Sequence, residues 1–267
     1  MKALITGAAS GIGLATARLF LREGWQVVGL DRLDPPSDFA HAGWIHCDLA
    51  EPSVVSATCA LLADTNVAGR FDTLVISAGV AGVGDPQRIL QINFVSARHI
   101  VRTLSPLVRD GGSVTIVSSG AGWRWMDRKE ALLCVVREPN DARSLAMAAA
   151  QCGSASEAYN CSKELLCALV AHDCLAHWPR GVRLNSVSPG SIDTPLIPDF
   201  IASMGKDAMH FSRETVGRDG TCDEIGEVIA FLATSKASWI NGADLKVDGG
   251  LTGALSGDVV SFEGWAN

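Results

Sequence analysis

Short, almost uninterrupted apolar runs alternate with longer amphipathic stretches from the first residues of the chain. Lys2–Thr6 reads as a buried strand, Gly7–Gly13 as a glycine-rich turn, and Leu14–Glu23 as a helix closed by Gly24. Gln26–Asp31 and Trp44–Asp48 are the next strands, followed by a helix over Ser53–Asp64. Thr73–Ser77 and Ser113–Ser118 are short apolar strands, with Arg88–Leu107 helical between them. Glu157–His177 is a long amphipathic helix and Arg183–Ser188 a strand. Glu224–Ala233 is a helix, and Asp244–Val247 a last strand before Asp248-Gly249-Gly250. Strands apolar on both faces that alternate with helices form a parallel sheet covered on both sides. The pattern predicts an α/β fold, one doubly wound domain over residues 1–267.

Two segments break this rhythm. Residues 123–158 separate a strand from the long helix and hold helical stretches around Glu130–Val136 and Ala142–Cys152. They either roof a pocket or change how subunits pair, and Trp123 and Trp125 either line that pocket or anchor the insertion. Residues 195–220 form a long connection carrying Leu196, Ile197, Phe200, Met204, Met209 and Phe211. Loops this long in compact domains are usually lids or interface elements. The expectation is that 195–220 closes over a substrate, Met204 and Met209 adapting to its shape; plain packing onto the body is the alternative. Residues 251–267, with Val259, Val260, Phe262 and Trp265, are too apolar for a free tail.

Composition excludes several functions. The chain has 267 residues, 48% of them hydrophobic, ample for a large core. A net charge of -7 argues against nucleic acid or an anionic membrane as partner. No apolar run is long enough to span a bilayer. The N-terminus enters a strand at once and leaves no room for a signal peptide, so a cytoplasmic protein is expected. Eight cysteines, at 47, 59, 134, 152, 161, 167, 174 and 222, form no C-x-x-C pair. They are expected to be small buried hydrophobes, with no bound metal.

The chemistry begins at Thr6-Gly7-Ala8-Ala9-Ser10-Gly11-Ile12-Gly13, between the first strand and the first helix. Glycines there let backbone amides approach a pyrophosphate, and the helix N-terminus adds donors and a favourable dipole. The domain is therefore of Rossmann type. Asp31 ends the second strand 18 residues after Gly13, where a carboxylate accepts from the adenosine ribose hydroxyls and repels a 2′-phosphate. With Ser10 rather than a basic residue before Gly11, this favours NAD over NADP; Arg32 is the complication. Asp48, followed by Leu49, either accepts from the adenine amino group or caps the following helix. Ala78 and Gly79 leave space for a ribose. Ser118-Ser119 ends the fifth strand. Tyr159 and Lys163, four apart, share a helix face.

These motifs together resemble the short-chain dehydrogenases/reductases, over essentially the whole chain. The matching residues are Thr6–Gly13, Ser77-Ala78-Gly79, Asn93, Ser118-Ser119, Tyr159-Asn160-Cys161-Ser162-Lys163, Pro189-Gly190 with Thr194, and Val247–Gly250. The glycine spacing looks like the compact branch. The abrupt start, the long insertion and the run from Gly181 to Leu196 are similar to the bacterial 3α-hydroxysteroid dehydrogenase/carbonyl reductase subgroup.

The resemblance implies catalytic roles for Ser119, Tyr159, Lys163 and Asn93. Tyr159 would be the acid/base, activated by Lys163 and the nicotinamide cation. Lys163 would also hold the nicotinamide ribose, Ser119 the substrate oxygen, and Asn93 a water leading from Lys163 to solvent. Pro189, Gly190, Ile192 and Thr194 would grip the carboxamide. The implied activity is NAD-dependent interconversion of a secondary alcohol and a ketone, on a hydrophobic cyclic or steroid-like small molecule, by a homodimer or homotetramer. A polyol or sugar is the second substrate class, served by Arg124, Asp127 and Arg128. A non-catalytic dinucleotide-binding regulator would lack Tyr159, Lys163 or Ser119. Ser77 departs from the family's Asn and removes an amide there.

Overall fold

The seven strands run parallel in the order β3-β2-β1-β4-β5-β6-β7 in the computed structural model, which describes residues 1–64 and 70–261. They are β1 (Lys2–Thr6), β2 (Gln26–Asp31), β3 (Gly43–His46), β4 (Phe71–Ile76), β5 (Val108–Val117), β6 (Arg183–Pro189) and β7 (Asp244–Val247). Successive side chains along a strand face opposite sides. Ala3 and Ile5 accordingly enter one core with Val27 and Val75, and Leu4 enters the other with Leu30 and Leu74. The first core is covered by α1 (Gly11–Arg22), through Phe20, and by α10 (Cys222–Ala233), through Ile225 and Ile229. The second is covered by α2 (Pro52–Ala63), α3 (Pro86–Leu90), α4 (Ala97–Leu104) and α7 (Ala155–Asp173). The order reverses between β1 and β4, so a crevice opens at their carboxyl ends, where α/β sheets bind ligands.

Several element ends differ from the sequence expectation, each for a local reason. The long helix begins at Ala155 rather than Glu157 because the Ser154 hydroxyl accepts from the Glu157 amide (3.2 Å). It ends at Asp173, before a turn that leads to Gly181 in the left-handed region. The last long helix begins at Cys222, not Glu224, because Thr221 and Glu224 form a reciprocal capping box. The stretch expected to be helical over Arg88–Leu107 is not continuous. Asp85 caps α3, a π-turn runs over Gln91–Ser96, and only then does α4 follow.

The two irregular segments are largely helical. The insertion folds as a 3-10 turn (Trp125–Arg128), α5 (Lys129–Arg137) and α6 (Asp141–Ala149), as the Glu130 and Ala142 stretches suggested. Arg98, fully buried on α4, locks it down by donating to the Glu138 carbonyl (2.9 Å) and to Asp141 (2.5 Å). The 195–220 connection is not an open loop but two helices, α8 (Ile197–Met204) and α9 (Lys206–Val216), hinged at Gly205. Leu251–Ser256 is α11; Phe262 and Trp265 lie outside the described residues. The cysteines are only partly the expected core residues. Cys47, Cys59, Cys161 and Cys167 are buried, Cys152, Cys174 and Cys222 half-buried, and Cys134 exposed, because its face of α5 points outward. No helix among the described residues is long and apolar enough to cross a membrane.

Candidate active site

The glycine turn after β1 is shaped by backbone contact. A Cβ on Gly13 would sit 2.1 Å from the Gly7 carbonyl oxygen, and one on Gly7 would sit 2.8 Å from the Ala78 backbone. Gly7 and Gly11 also adopt positive φ, which favours glycine. Thr6 ties the turn to β4: its hydroxyl accepts from the amides of Ser77 and Ala78, both at 3.1 Å. Ser10 stands at the N-cap of α1 with its side chain uncommitted to the helix. The Asp31 carboxylate accepts from the Ala9 amide (3.0 Å) and the Leu33 amide (3.0 Å), fixing a negative charge beside the turn. Asp48 is not a helix cap. Its carboxylate accepts from the Ala50 amide (2.9 Å), and Glu51 takes the N-cap position of α2. Leu49 is buried, and its carbonyl accepts from Ser96 (2.7 Å).

The remaining site residues meet across a cleft of about 560 Å³ at the carboxyl edge of the sheet. Ile12, Gly79, Ser119, Tyr159, Lys163, Pro189, Gly190, Ile192 and Thr194 all line it. The Ser119 hydroxyl points toward Tyr159 and accepts from the Ala121 amide (3.1 Å). Its neighbour Ser118 is buried and instead donates to the Lys163 carbonyl (3.0 Å), holding α7 against the end of β5. That approach requires Gly122, whose Cβ would fall 2.8 Å from the Lys163 carbonyl oxygen. Asn93 lies outside the cleft, in the π-turn. Its side chain accepts from the Val80 amide (2.8 Å) and donates to the Val80 carbonyl (3.0 Å) and to Ser162 (3.2 Å).

Burial sets the titration of the central pair. The Tyr159 phenol is pushed up to about 12 by desolvation, with the Ser119 hydrogen bond pulling the other way. The Lys163 ammonium is pushed down to about 8 by the same desolvation. Its Nζ lies 5.6 Å from the centroid of the Tyr159 ring and donates to the Val117 carbonyl (3.3 Å). No described carboxylate forms an ion pair with it. A buried ammonium held by one long carbonyl contact has donor capacity left for ligand hydroxyls.

The far wall is apolar. Phe200 meets Tyr159 edge-to-face at 5.4 Å between centroids, and Met204, Met209, Leu251 and Leu255 line the same cleft. Trp123 lines it as well, whereas Trp125 packs into the core beside the insertion. Several lining residues were not anticipated from sequence, among them Gln151, Asn160 and Glu164. For the last two a signal existed, since Asn160 and Glu164 repeat the four-residue spacing of Tyr159 and Lys163 one position later.

A short chain dehydrogenase model matches residues 1–129, and a model described as enoyl-(acyl carrier protein) reductase matches residues 142–252. The chain is 31% identical over 273 residues to a cis-4-hydroxycyclohexanecarboxylate dehydrogenase of Sinomonas cyclohexanicum, covering 94% of this chain and 96% of that one. It is 28% identical to a coniferyl-alcohol dehydrogenase of Pseudomonas sp. and to a 3-alpha-hydroxysteroid dehydrogenase/carbonyl reductase of Comamonas testosteroni, each covering 94% of this chain and 96% of the relative. The 3-alpha-hydroxysteroid dehydrogenase of Pseudomonas sp. B-0831, solved with NADH, superimposes with a TM-score of 0.79 at 29% identity, covering 98% of this chain and all of that one. The chain belongs to the short-chain dehydrogenase/reductase family. It is an oxidoreductase type, similar to dehydrogenases of alcohols and steroids.

Proposed function

We propose that this protein interconverts a secondary alcohol and a ketone with NAD, on a hydrophobic cyclic or steroid-like substrate. The observation that carries the reading is the single cleft that joins Ser119, Tyr159 and Lys163 to the glycine-turn residue Ile12 at one end and an apolar wall at the other. The residues fit a dinucleotide. Gly7 and Gly13 form a cradle that a Cβ would fill, and Lys163 and the Asp31 carboxylate suit the two riboses. Gly7, Ser10, Gly11, Ile12 and Gly13 would receive the pyrophosphate. Asp31, Asp48 and Leu49 would hold the adenosine, Ala78, Gly79, Tyr159 and Lys163 the nicotinamide ribose, and Pro189, Gly190, Ile192 and Thr194 the carboxamide. When bound, NAD accepts the hydride from the carbinol carbon.

The chain's own residues do the proton chemistry. Ser119 donates to the substrate oxygen and steadies charge as it develops. Tyr159 takes the hydroxyl proton in oxidation and returns it in reduction. With its phenol at about 12 in the cofactor-free site, Lys163 already in place, ionisation near neutrality requires roughly 7 kcal/mol more stabilisation, toward which the positive charge of the oxidised nicotinamide would contribute. Asn93 serves a proton path only through its main chain, since its side chain is engaged with Val80 and Ser162. The α8–α9 segment is the substrate cover, with Phe200, Met204 and Met209 toward the ligand.

Two relatives are named for ring alcohols, a hydroxysteroid and a hydroxycyclohexanecarboxylate, which supports the substrate class. A polyol or sugar is the second reading, favoured by Arg124, Asp127 and Arg128 lining the cleft. The test is NADH formation across 3-hydroxysteroids, cyclic alcohols and polyols, with and without Tyr159→Phe. Turnover should fall about a thousandfold in the variant, within the usual range for loss of a general acid/base. The protein has one Tyr, so no second phenol replaces it. Oxidation that survives the substitution sinks the mechanism.

A further inference from the structure

We infer that Cys152 and Cys161 are a redox-active dithiol, which a peroxide oxidises to a disulfide that staples the end of the insertion to α7 beside Tyr159. The inference goes beyond the alcohol-oxidising reading and does not rest on it. Chain topology brings the two thiols together. Cys152 lies in the short link between α6, which ends at Ala149, and Ser154, the N-cap of α7. The link folds back onto the helix it enters, and the Glu157 carboxylate accepts from the Gly153 amide at 2.7 Å. Cys161 stands on α7 two residues after Tyr159, and its thiol is hydrogen-bonded to the Cys152 sulfur. Both are free thiols packed in one core cluster. Gln151, next to Cys152, and Arg128 line the substrate cleft, so the pair sits in the wall of that cleft.

The two sulfurs are unequal in a way that suits oxidation. The thiolate is the form that attacks a peroxide. Cys152 is half-buried, and the hydrogen bond from Cys161 holds its thiol below the usual range, with the Arg128 charge acting the same way against burial. Cys161 is fully buried, and the same hydrogen bond together with burial pushes its thiol up. Arg128 also donates to Cys161 Sγ at 3.8 Å and to Gln151 at 2.7 Å, which keeps a cation beside the pair. Cys152 therefore attacks and Cys161 resolves. The Cys152 sulfur bonds to one peroxide oxygen, the O–O bond breaks, and the departing hydroxide leaves as water with the thiol proton. The Cys161 sulfur then bonds to the Cys152 sulfur, the S–O bond of the sulfenic acid breaks, and hydroxide leaves as a second water with the Cys161 proton. The two sulfurs lose two electrons and the peroxide gains them. Cys152 lies outside any helix or strand, next to Gly153, so the link can make the small movement that a bridge requires. Cys47 and Cys59 provide the contrast. They are neighbours as well, but both are buried and burial pushes both thiols up, so neither offers a thiolate.

Peptide mapping of the reduced protein after hydrogen peroxide treatment tests this, with alkylation and digestion under non-reducing conditions. The expected result is loss of two of the eight free thiols and one cross-linked peptide joining Cys152 to Cys161, reversed by dithiothreitol. Cys47 and Cys59 should still alkylate once the chain is unfolded. In Cys161→Ala the reaction should stop at a Cys152 sulfenic acid, trapped by dimedone, and in Cys152→Ser Cys161 should stay a thiol. Absence of the bridge at about a tenfold molar excess of peroxide, or oxidation of the exposed Cys134 while Cys152 and Cys161 remain thiols, overturns the inference. So does dimedone on Cys161 in Cys152→Ser at the level seen on Cys152 in Cys161→Ala. The wild-type map needs no variant to fold, and none of these readouts depends on turnover of an alcohol.

Discussion

From Thr6 to Asp31 the glycine-turn region, which reaches the cleft at Ile12, is one stretch of chain, and its working groups are mostly main chain: a glycine turn, a helix N-terminus and a carboxylate bonded to the Ala9 amide. The substrate end draws side chains from α7, the 123–158 insertion, α8–α9 and α11, up to about 130 residues apart in sequence. The first is built by steric exclusion, where an added methyl collides with backbone. The second is built by packing, where side chains such as Phe200 and Met204 are half-buried and adjustable. A site made of backbone tolerates little substitution, and a site made of side chains can be retuned.

The largest expected effect probes that contrast directly. Gly13→Ala puts a Cβ 2.1 Å from the Gly7 carbonyl oxygen, so the turn must move. We expect a loss of about 3 kcal/mol in stability by urea unfolding and a rise of more than tenfold in the NADH dissociation constant by fluorescence titration. Phe200→Ala at the other end should cost under about 1 kcal/mol, since the side chain is only half-buried, and should act on KM for alcohols. Normal NADH binding by Gly13→Ala would break the comparison.

The second effect belongs to the buried pair between the two ends. Lys163 titrates at about 8 in the folded chain against its usual 10.5. Between those values the unfolded chain holds one more proton, so stability of the cofactor-free protein rises with pH from about 8. Tyr159 works in the opposite direction. Its folded value near 12 exceeds the usual 10, so above about pH 10 its contribution falls as pH rises. Lys163→Met should remove a gain on the order of 2 kcal/mol between pH 8 and 10. Chemical denaturation at both pH values checks it, and parallel profiles for the two proteins would show that Lys163 is not desolvated as the structure has it.

The same contrast explains what the sequence made legible. The glycine turn, Asp31 and the Tyr159–Lys163 pair are local patterns with a physical reason for each residue; the structure brings Ile12 of the turn and the pair to one cleft and bonds Asp31 to the turn outside it. The π-turn at Gln91–Ser96 left no mark, because Ile92, Phe94 and Val95 are as apolar as a plain helix requires. The helices of 197–216 were hidden by Pro195, Pro198 and Gly205, which read as loop residues although Pro198 occupies the first turn of α8. Gln151 escaped notice because its place in the cleft comes from Arg128, 23 residues away in sequence, which donates to it.

The smallest expected effect tests whether the nucleotide end also sets cofactor choice. Asp31 ends β2 with one carboxylate oxygen on the Ala9 amide and the other on the Leu33 amide, which leaves lone pairs for ribose hydroxyls and a charge that repels a 2′-phosphate. Arg32 beside it is exposed and is a ready partner for such a phosphate once the carboxylate is gone. Asp31→Ser keeps a short hydrogen-bonding side chain while removing the charge. We expect kcat/KM for NAD to fall about tenfold, equivalent to about 1.4 kcal/mol, and that for NADP to rise. The substrate profile should stay as it was, because Asp31 lies outside the cleft that holds Phe200 and Asn160. Steady-state kinetics with both cofactors on one alcohol decide it. A wild-type protein that uses NADP as well as NAD removes Asp31 as the selector. A shifted substrate profile in Asp31→Ser would mean that the two ends are coupled.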